Sequence, residues 1–176
     1  MVVEIVIATN NKNKLREIAD LLRDIPVKWL DLNSFPAVKE IAETGTTLEE
    51  NAALKARTVA KITGKIAIAD DTGLEVDYLH GRPGVYSARF AGERCSYEDN
   101  NRKLLKLLHK VPLTRRIAQF RCVMALAFPD GRTRLVKGQT KGWIGTARRG
   151  DNGFGYDPLF IPWGQRVPAS NRRTYA

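Results

Sequence analysis

"KIAIADDTGLEV", Lys65 to Val76, runs an apolar strand into two adjacent aspartates, passes a threonine and a glycine, and turns apolar again. Burying an ionised carboxylate is costly unless it meets a cation or good donors. Successive side chains of a strand point to opposite faces, so Asp70 and Asp71 cannot form one carboxylate pair on one side. They must do separate jobs. One could hold a divalent cation or activate a water while the other makes local hydrogen bonds. An Asx-type turn closing a strand would account for the same residues. The spacing predicts a strand over "KIAIAD" and a second, short and edge-like, over "LEVDYL".

Outward from that stretch, strands and helices alternate. "VVEIVIAT" is a continuous β-branched run suited to a strand buried on both faces. Leu15, Ile18, Ala19 and Leu22 then recur at helical spacing, and "VKWLDL" reads as the next strand. Thr47 and Glu50 form a capping box that opens a helix with Leu48, Ala52, Ala56 and Val59 as its inner stripe. Further on, Ser96 is placed to cap a helix carrying Leu104, Leu105, Leu107 and Leu108. Two longer strands, roughly 116–128 and 132–144, meet at "PDGR", a hairpin signal, and a short strand "LFI" follows a glycine-rich loop. This predicts an α/β fold with a mixed sheet. The crossover helices run out halfway, which excludes a clean doubly wound fold.

Size and composition narrow the class. A chain of 176 residues, 43% hydrophobic, is long enough to bury a core. No apolar run approaches the roughly 20 residues a membrane span needs, and the N-terminus reads as a strand rather than a signal peptide. Cys95 and Cys122 lack metal-ligand spacing and form no disulfide framework, so a cytoplasmic location is expected. The net charge is +10, and residues 131–176 hold nine Lys and Arg against two Asp, or +7 of it. Such a balance suits a polyanionic partner or a solvated basic surface.

Three further segments could carry chemistry. "ATNNKNK" places Lys12 and Lys14 at the start of a helix, where the dipole disfavours cations. An anion docked there would reverse that penalty, with Thr9, Asn10, Asn11 and Asn13 around it. An asparagine-capped surface helix is the plainer reading. In "AETGTTLEENAALKA", Glu43 precedes a turn outside the helix, and Asn51 and Lys55 share a helix face. Lys55 is a phosphate ligand if that face lines a cleft and a solvent lysine if not. In "GDNGFGYDP", Phe154 and Tyr156 could stack on a base with Asp157 at its edge, or could simply be core aromatics. His80 and His109 have no neighbours in sequence that would complete a metal site.

Taken together, "ATNNKNKLREI", "ETGTTLEENAALKA", "ADDTGLEVDYLHGRPGVYSARFAG" and "GFGYDPLFIP" resemble the nucleoside triphosphate pyrophosphatases that remove inosine and xanthosine triphosphates. The resemblance covers about residues 1–162, and the block from Asp70 to Gly92 is its most specific part. It implies an ITPase-like fold: a mixed sheet in two lobes, a nucleotide-binding cleft between them, and a homodimer. It also implies Mg²⁺ as cofactor and hydrolysis of a purine nucleoside triphosphate to the monophosphate and pyrophosphate. By the same resemblance Thr9, Asn10, Asn11, Lys12, Asn13 and Lys14 hold the phosphates, assisted by Lys55. Glu43 and Asp71 hold the metal, and Asp71 accepts the proton of the attacking water. Thr72, Phe154, Gly155, Tyr156 and Asp157 contact the nucleotide, Phe154 by stacking.

Two positions depart from the pattern. Ala42 stands where the family often has a second acid. After "FIP" the family continues through a helix to a Ser-His-Arg motif that contacts the base, whereas residues 163–176 read "WGQRVPASNRRTYA". That tail is expected to be disordered or replaced, the family's end having been overwritten by a frame change, which would weaken base selectivity and turnover. The alternatives to an enzyme are a nucleotide-binding protein without catalysis, and a basic nucleic-acid-binding module resting on charge alone. No recognition-helix, OB or RNP-type pattern supports the latter, so nucleic acid is an unlikely partner.

Overall fold

The computed structural model describes residues 2–150 and 153–164. Almost all of the tail singled out above, from residue 165 onward, therefore lies outside the described residues. Strand β1 (Glu4–Ile7) pairs in parallel with β2 (Lys28–Leu30) on one side and β3 (Ile66–Val76) on the other. Helix α1 (Lys12–Leu21) connects β1 to β2, and α2 (Leu48–Thr63) lies between β2 and β3. Parallel neighbours require such crossovers. Past β3 the character changes, as expected once the crossover helices run out. β4 (Pro83–Gly84) pairs antiparallel with the end of β3, and α3 spans Tyr97–Leu107. Neighbouring strands β5 (Ile117–Ala127) and β6 (Thr133–Ile144) form the anticipated hairpin, and β7 (Phe160–Pro162) adds antiparallel to β6. The sheet order is β2-β1-β3-β5-β6-β7, with β4 on β3. It is a mixed α/β fold.

The chain divides into two compact units, residues 1–71 with 122–137, and residues 72–121 with 138–176. Each has its own apolar core. In the first, Ile7, Ile18 and Ile68 are buried, with Leu15, Leu22, Trp29 and Met124 packed against them. In the second, Leu74, Val76, Leu104, Leu108, Ala118, Ile144 and Leu159 are buried together with Tyr156.

The local signals act as their chemistry requires. Thr47 accepts from the Glu50 amide at 3.1 Å while the Glu50 carboxylate accepts from the Thr47 amide at 3.2 Å, so the capping box is complete. Gly64 ends α2 in the left-handed region at φ +66°, a conformation glycine adopts without a Cβ penalty. Two expectations change. "LEVDYL" is no separate strand: Leu74 to Val76 continue β3 through the aspartates, and Asp77–Leu79 form a 3-10 turn. The backbone stays extended because residues 67–71 and 73–74 are buried, which favours pairing over a solvated turn. On α3, Leu104 and Leu108 are fully buried but Leu107 is exposed, and Asn100 and Asn101 take the inner positions instead.

Leu104→Ala is expected to cost about 2–5 kcal/mol, read by urea unfolding, because the site is closed on all sides. A surface cluster gives a pH test. Hydrogen bonds from Lys28 and then Lys65 hold the Glu4 carboxyl down at about 2. A depressed carboxyl stabilises the fold above its unfolded value, and that contribution is lost as pH falls from about 4.5 toward 2. Glu4→Gln should therefore lower the melting temperature at pH 7, and the difference should close near pH 2.

Candidate active site

Asp70 and Asp71 lie on the part of β3 that belongs to the first unit, both buried and on opposite faces as the alternation requires. Each meets a lysine from a different helix. Lys14, in the first turn of α1, reaches Asp70 Oδ2 at 2.6 Å. Lys55, two turns into α2, lies 3.7 Å from Asp71 Oδ1 and 2.6 Å from Glu43 Oε1. Neither lysine points to water: the Lys55 side chain is 14% exposed and that of Lys14 20%. A solvent-lysine reading is thereby excluded for Lys14 and Lys55. The question posed by two adjacent buried acids has a structural answer, one ammonium for each.

The electrostatics of the two acids differ. Burial disfavours the Lys14 charge, but Asp70, helped by Asp71 and Cys122, outweighs it and holds the ammonium above the ordinary lysine value. Burial lifts the Asp71 carboxyl above the ordinary aspartate range; Lys55 opposes the rise, Glu43 adds to it, and Lys14 and Asn51 oppose it further. Asp71 is thus the more basic carboxylate, suited to accept a proton.

At the α1 N-terminus the arrangement is more specific than the dipole argument. Asn11 is the N-cap, and its Oδ1 accepts from the amides of Asn13 and Lys14 at 3.0 and 3.3 Å. Those two N–H groups are satisfied within the chain. Thr9 Oγ1 accepts from the Asn11 amide at 3.2 Å. Asn10 and Lys12 are exposed beside them.

Glu43 precedes a loop that is tied to α2 through Asn51. Asn51, fully buried on α2, accepts from the Gly45 amide at 2.8 Å. A Cβ on Gly45 would stand 2.6 Å from that same oxygen, so only glycine allows the loop so close. The signal was present: Asn51 follows Leu48 by three and precedes Lys55 by four, which puts a polar residue beside the apolar stripe.

The remaining candidates lie in the second unit. Thr72 is half-buried, directly after Asp71 on β3. In the glycine-rich loop, Phe154 is half-buried, its ring 6.0 Å from that of Tyr97. Tyr156 is buried, donates from its hydroxyl to the Ser87 carbonyl at 2.9 Å, and has a phenol raised well above its usual value by burial. It anchors the loop. Asp157 is exposed and accepts from the Phe154 amide at 2.9 Å, closing the turn. Ser87, from "PGVYSARFAG", also accepts from the Leu74 amide at 2.9 Å, so that block ties β3 to the loop.

Among the described residues no three His, Cys, Asp or Glu side chains gather into a metal cluster. The donors at hand are the oxygens of Glu43 and Asp71, which share Lys55. Both are hard carboxylate oxygens of the kind that hold a divalent cation, so the pair fits such an ion. A groove of about 460 Å³ is lined by Thr44 and Gly45, by Glu49, Ala53 and Arg57 of α2, and by Leu135.

The model of the Ham1 family matches residues 5–175. The chain belongs to the Ham1 family. A relative from Nitratidesulfovibrio vulgaris, named dITP/XTP pyrophosphatase, is 55% identical over 163 residues, 89% of this chain and 79% of that protein. The crystallised Ham1 protein of Coxiella burnetii superposes with a TM-score of 0.81 at 42% identity, covering 90% of this chain and 81% of that one. The nucleoside-triphosphatase, or dITP/XTP pyrophosphatase, of Mycobacterium abscessus gives 0.78 at 41% identity, covering 93% and 85%. Membership in the Ham1 family bears out the resemblance and the mixed α/β fold. No helix among the described residues is long and apolar enough to cross a membrane.

Opposite stability effects are expected at the two aspartates. Asp70→Asn leaves the buried Lys14 ammonium without its ion pair and should destabilise by about 3–5 kcal/mol. For Asp71 the sign is reversed: a carboxyl raised by burial costs stability once pH exceeds its folded value, so the charge opposes folding at neutral pH. Asp71→Asn should melt at or above the wild-type temperature in EDTA at pH 7. A drop as large as that of Asp70→Asn would contradict the assignment.

Proposed function

We propose that this Ham1 protein hydrolyses deaminated purine nucleoside triphosphates (ITP, dITP, XTP) to the monophosphate and pyrophosphate, removing them from the nucleotide pool. The observation that carries the reading is the buried, proton-seeking Asp71 beside Lys55 and Glu43, in a chain half identical to proteins named for this activity. Phosphoryl transfer asks the protein mainly for positioning and charge neutralisation. Lys12, Lys14 and Lys55 supply positive charge for the polyphosphate, with Thr9, Asn10, Asn11 and Asn13 as polar neighbours.

Asp71 takes a proton from a water whose oxygen forms a bond to the α-phosphorus. The bond from that phosphorus to the α–β bridging oxygen breaks, and pyrophosphate leaves. Mg²⁺, held by Glu43 and Asp71, would supply charge neutralisation and polarisation of phosphate oxygens when bound. Thr72 and the run Phe154–Asp157 contact the nucleoside, with Phe154 stacking on the base. In this reading Tyr156 serves as the anchor and Gly155 as the left-handed pivot at φ +60°. The activity is assigned to residues 1–162 because every candidate residue lies between Thr9 and Asp157; the assignment as a cytoplasmic homodimer rests on the family resemblance alone.

Pyrophosphate release across a nucleotide panel tests the proposal. ITP and XTP should be turned over with Mg²⁺ and not with EDTA, and Asp71→Asn should lower kcat by about 10²–10⁴-fold. Adenosine triphosphate hydrolysed as fast as ITP would overturn the selectivity.

A further inference from the structure

Tyr97, Asn101, Leu104 and Leu108 follow at spacings of four, three and four along α3, which brings them to one face. Leu104 and Leu108 belong to the core of the second unit, and Asn101 is buried as deeply, 1% exposed. A buried side-chain amide ordinarily satisfies both of its ends. Asn101 satisfies one. Its Nδ2 donates to the Gly155 carbonyl at 2.8 Å, while its Oδ1 is buried with no hydrogen-bond partner among the described residues. A leucine of similar volume would spare the chain that unmatched acceptor. What the amide accomplishes is therefore the bond to the loop.

One turn toward the N-terminus, the Tyr97 ring meets that of Phe154, centroids 6.0 Å apart and planes inclined at 42°. Helix α3 thus grips two consecutive loop residues, Phe154 by its ring and Gly155 by its carbonyl. Gly155 has φ +60°, where a residue without a Cβ has several accessible neighbouring conformations. A fixed donor on a helix selects one. The turn bond from the Phe154 amide to Asp157 and the Tyr156 hydroxyl bond to Ser87 hold the loop's other peptides. Asn101 is the contact that holds the carbonyl of Gly155, the residue directly after Phe154.

We infer that Asn101 is a positioning residue for base recognition: by fixing the Gly155 peptide it sets, with Tyr97, how the Phe154 ring is presented to a purine. The inference rests on Phe154 contacting the base, as proposed above. Asn101 itself touches no substrate.

The experiment compares Asn101→Leu, Asn101→Asp, Tyr97→Ala and Phe154→Ala by steady-state kinetics on ITP and by thermal melting. Asn101→Leu removes the donor and the unmatched acceptor together; Asn101→Asp keeps the shape but turns an acceptor toward the Gly155 carbonyl. Both should raise KM by about tenfold or more with kcat within about threefold of wild type, and Asn101→Leu should melt no lower than wild type. Lower melting with unchanged KM would assign Asn101 to folding alone and overturn the inference. If Phe154→Ala leaves KM unchanged, the reading of the loop as a base contact fails. If Phe154→Ala raises KM and the Asn101 variants do not, the positioning role fails by itself. Should both Asn101 variants fail to fold, Tyr97→Ala, at a 42% exposed position, decides: a raised KM supports control of Phe154 from α3 and an unchanged one contradicts it.

Discussion

The structure depends on the ion pairing of two adjacent buried carboxylates. Leaving Asp70 and Asp71 without cations inside an apolar strand would outweigh most of what that strand's burial contributes. Lys14 from α1 removes that difficulty for Asp70, and Lys55 from α2 lessens it for Asp71. The consequence reaches beyond β3. α1 must begin close enough to the strand for its first turn to reach Asp70, and α2 must be long enough to bring Lys55 to Asp71 while its capped start holds the Glu43 loop. The two halves are not equivalent. Lys14–Asp70 is a tight pair that fixes structure, whereas Asp71 is left looser and more basic, with Glu43 competing for the same lysine.

Much of this was legible in the sequence, for identifiable reasons. The capping box at Thr47 and Glu50 is a local signature, and a local bond forms it. The β1–α1–β2 alternation and the β5–β6 hairpin follow from periodicity and a glycine turn. Opposite orientation of Asp70 and Asp71 follows from strand geometry alone. Which lysine would meet which acid did not, because that depends on how helices lie on a sheet. The continuity of β3 through "DDTG" was likewise hidden: turn-forming residues predicted a break, and burial of residues 67–71 and 73–74 kept the backbone extended.

The roles of other residues were not legible because a pattern of apolar positions says nothing about polar ones placed among them. Asn51 and Asn101 both sit beside or within an apolar stripe, and both use an amide to fix a glycine-containing loop. Gly45 is held by the first and Gly155 by the second. A flexible peptide and a rigid donor or acceptor on a helix make the same device twice, once near the carboxylates and once at the aromatic loop. Of the two readings the sequence left open for Tyr156, stacking or core aromatic, its burial and its bond to Ser87 give it the part of an anchor.

The most direct measurement is a crystal structure with Mn²⁺ and a non-hydrolysable inosine triphosphate analogue, read by anomalous scattering. The account places the metal peak on the Glu43 and Asp71 oxygens, with phosphate oxygens contacting Lys14 or Lys55. A metal bound elsewhere, or phosphates touching neither lysine, would contradict it.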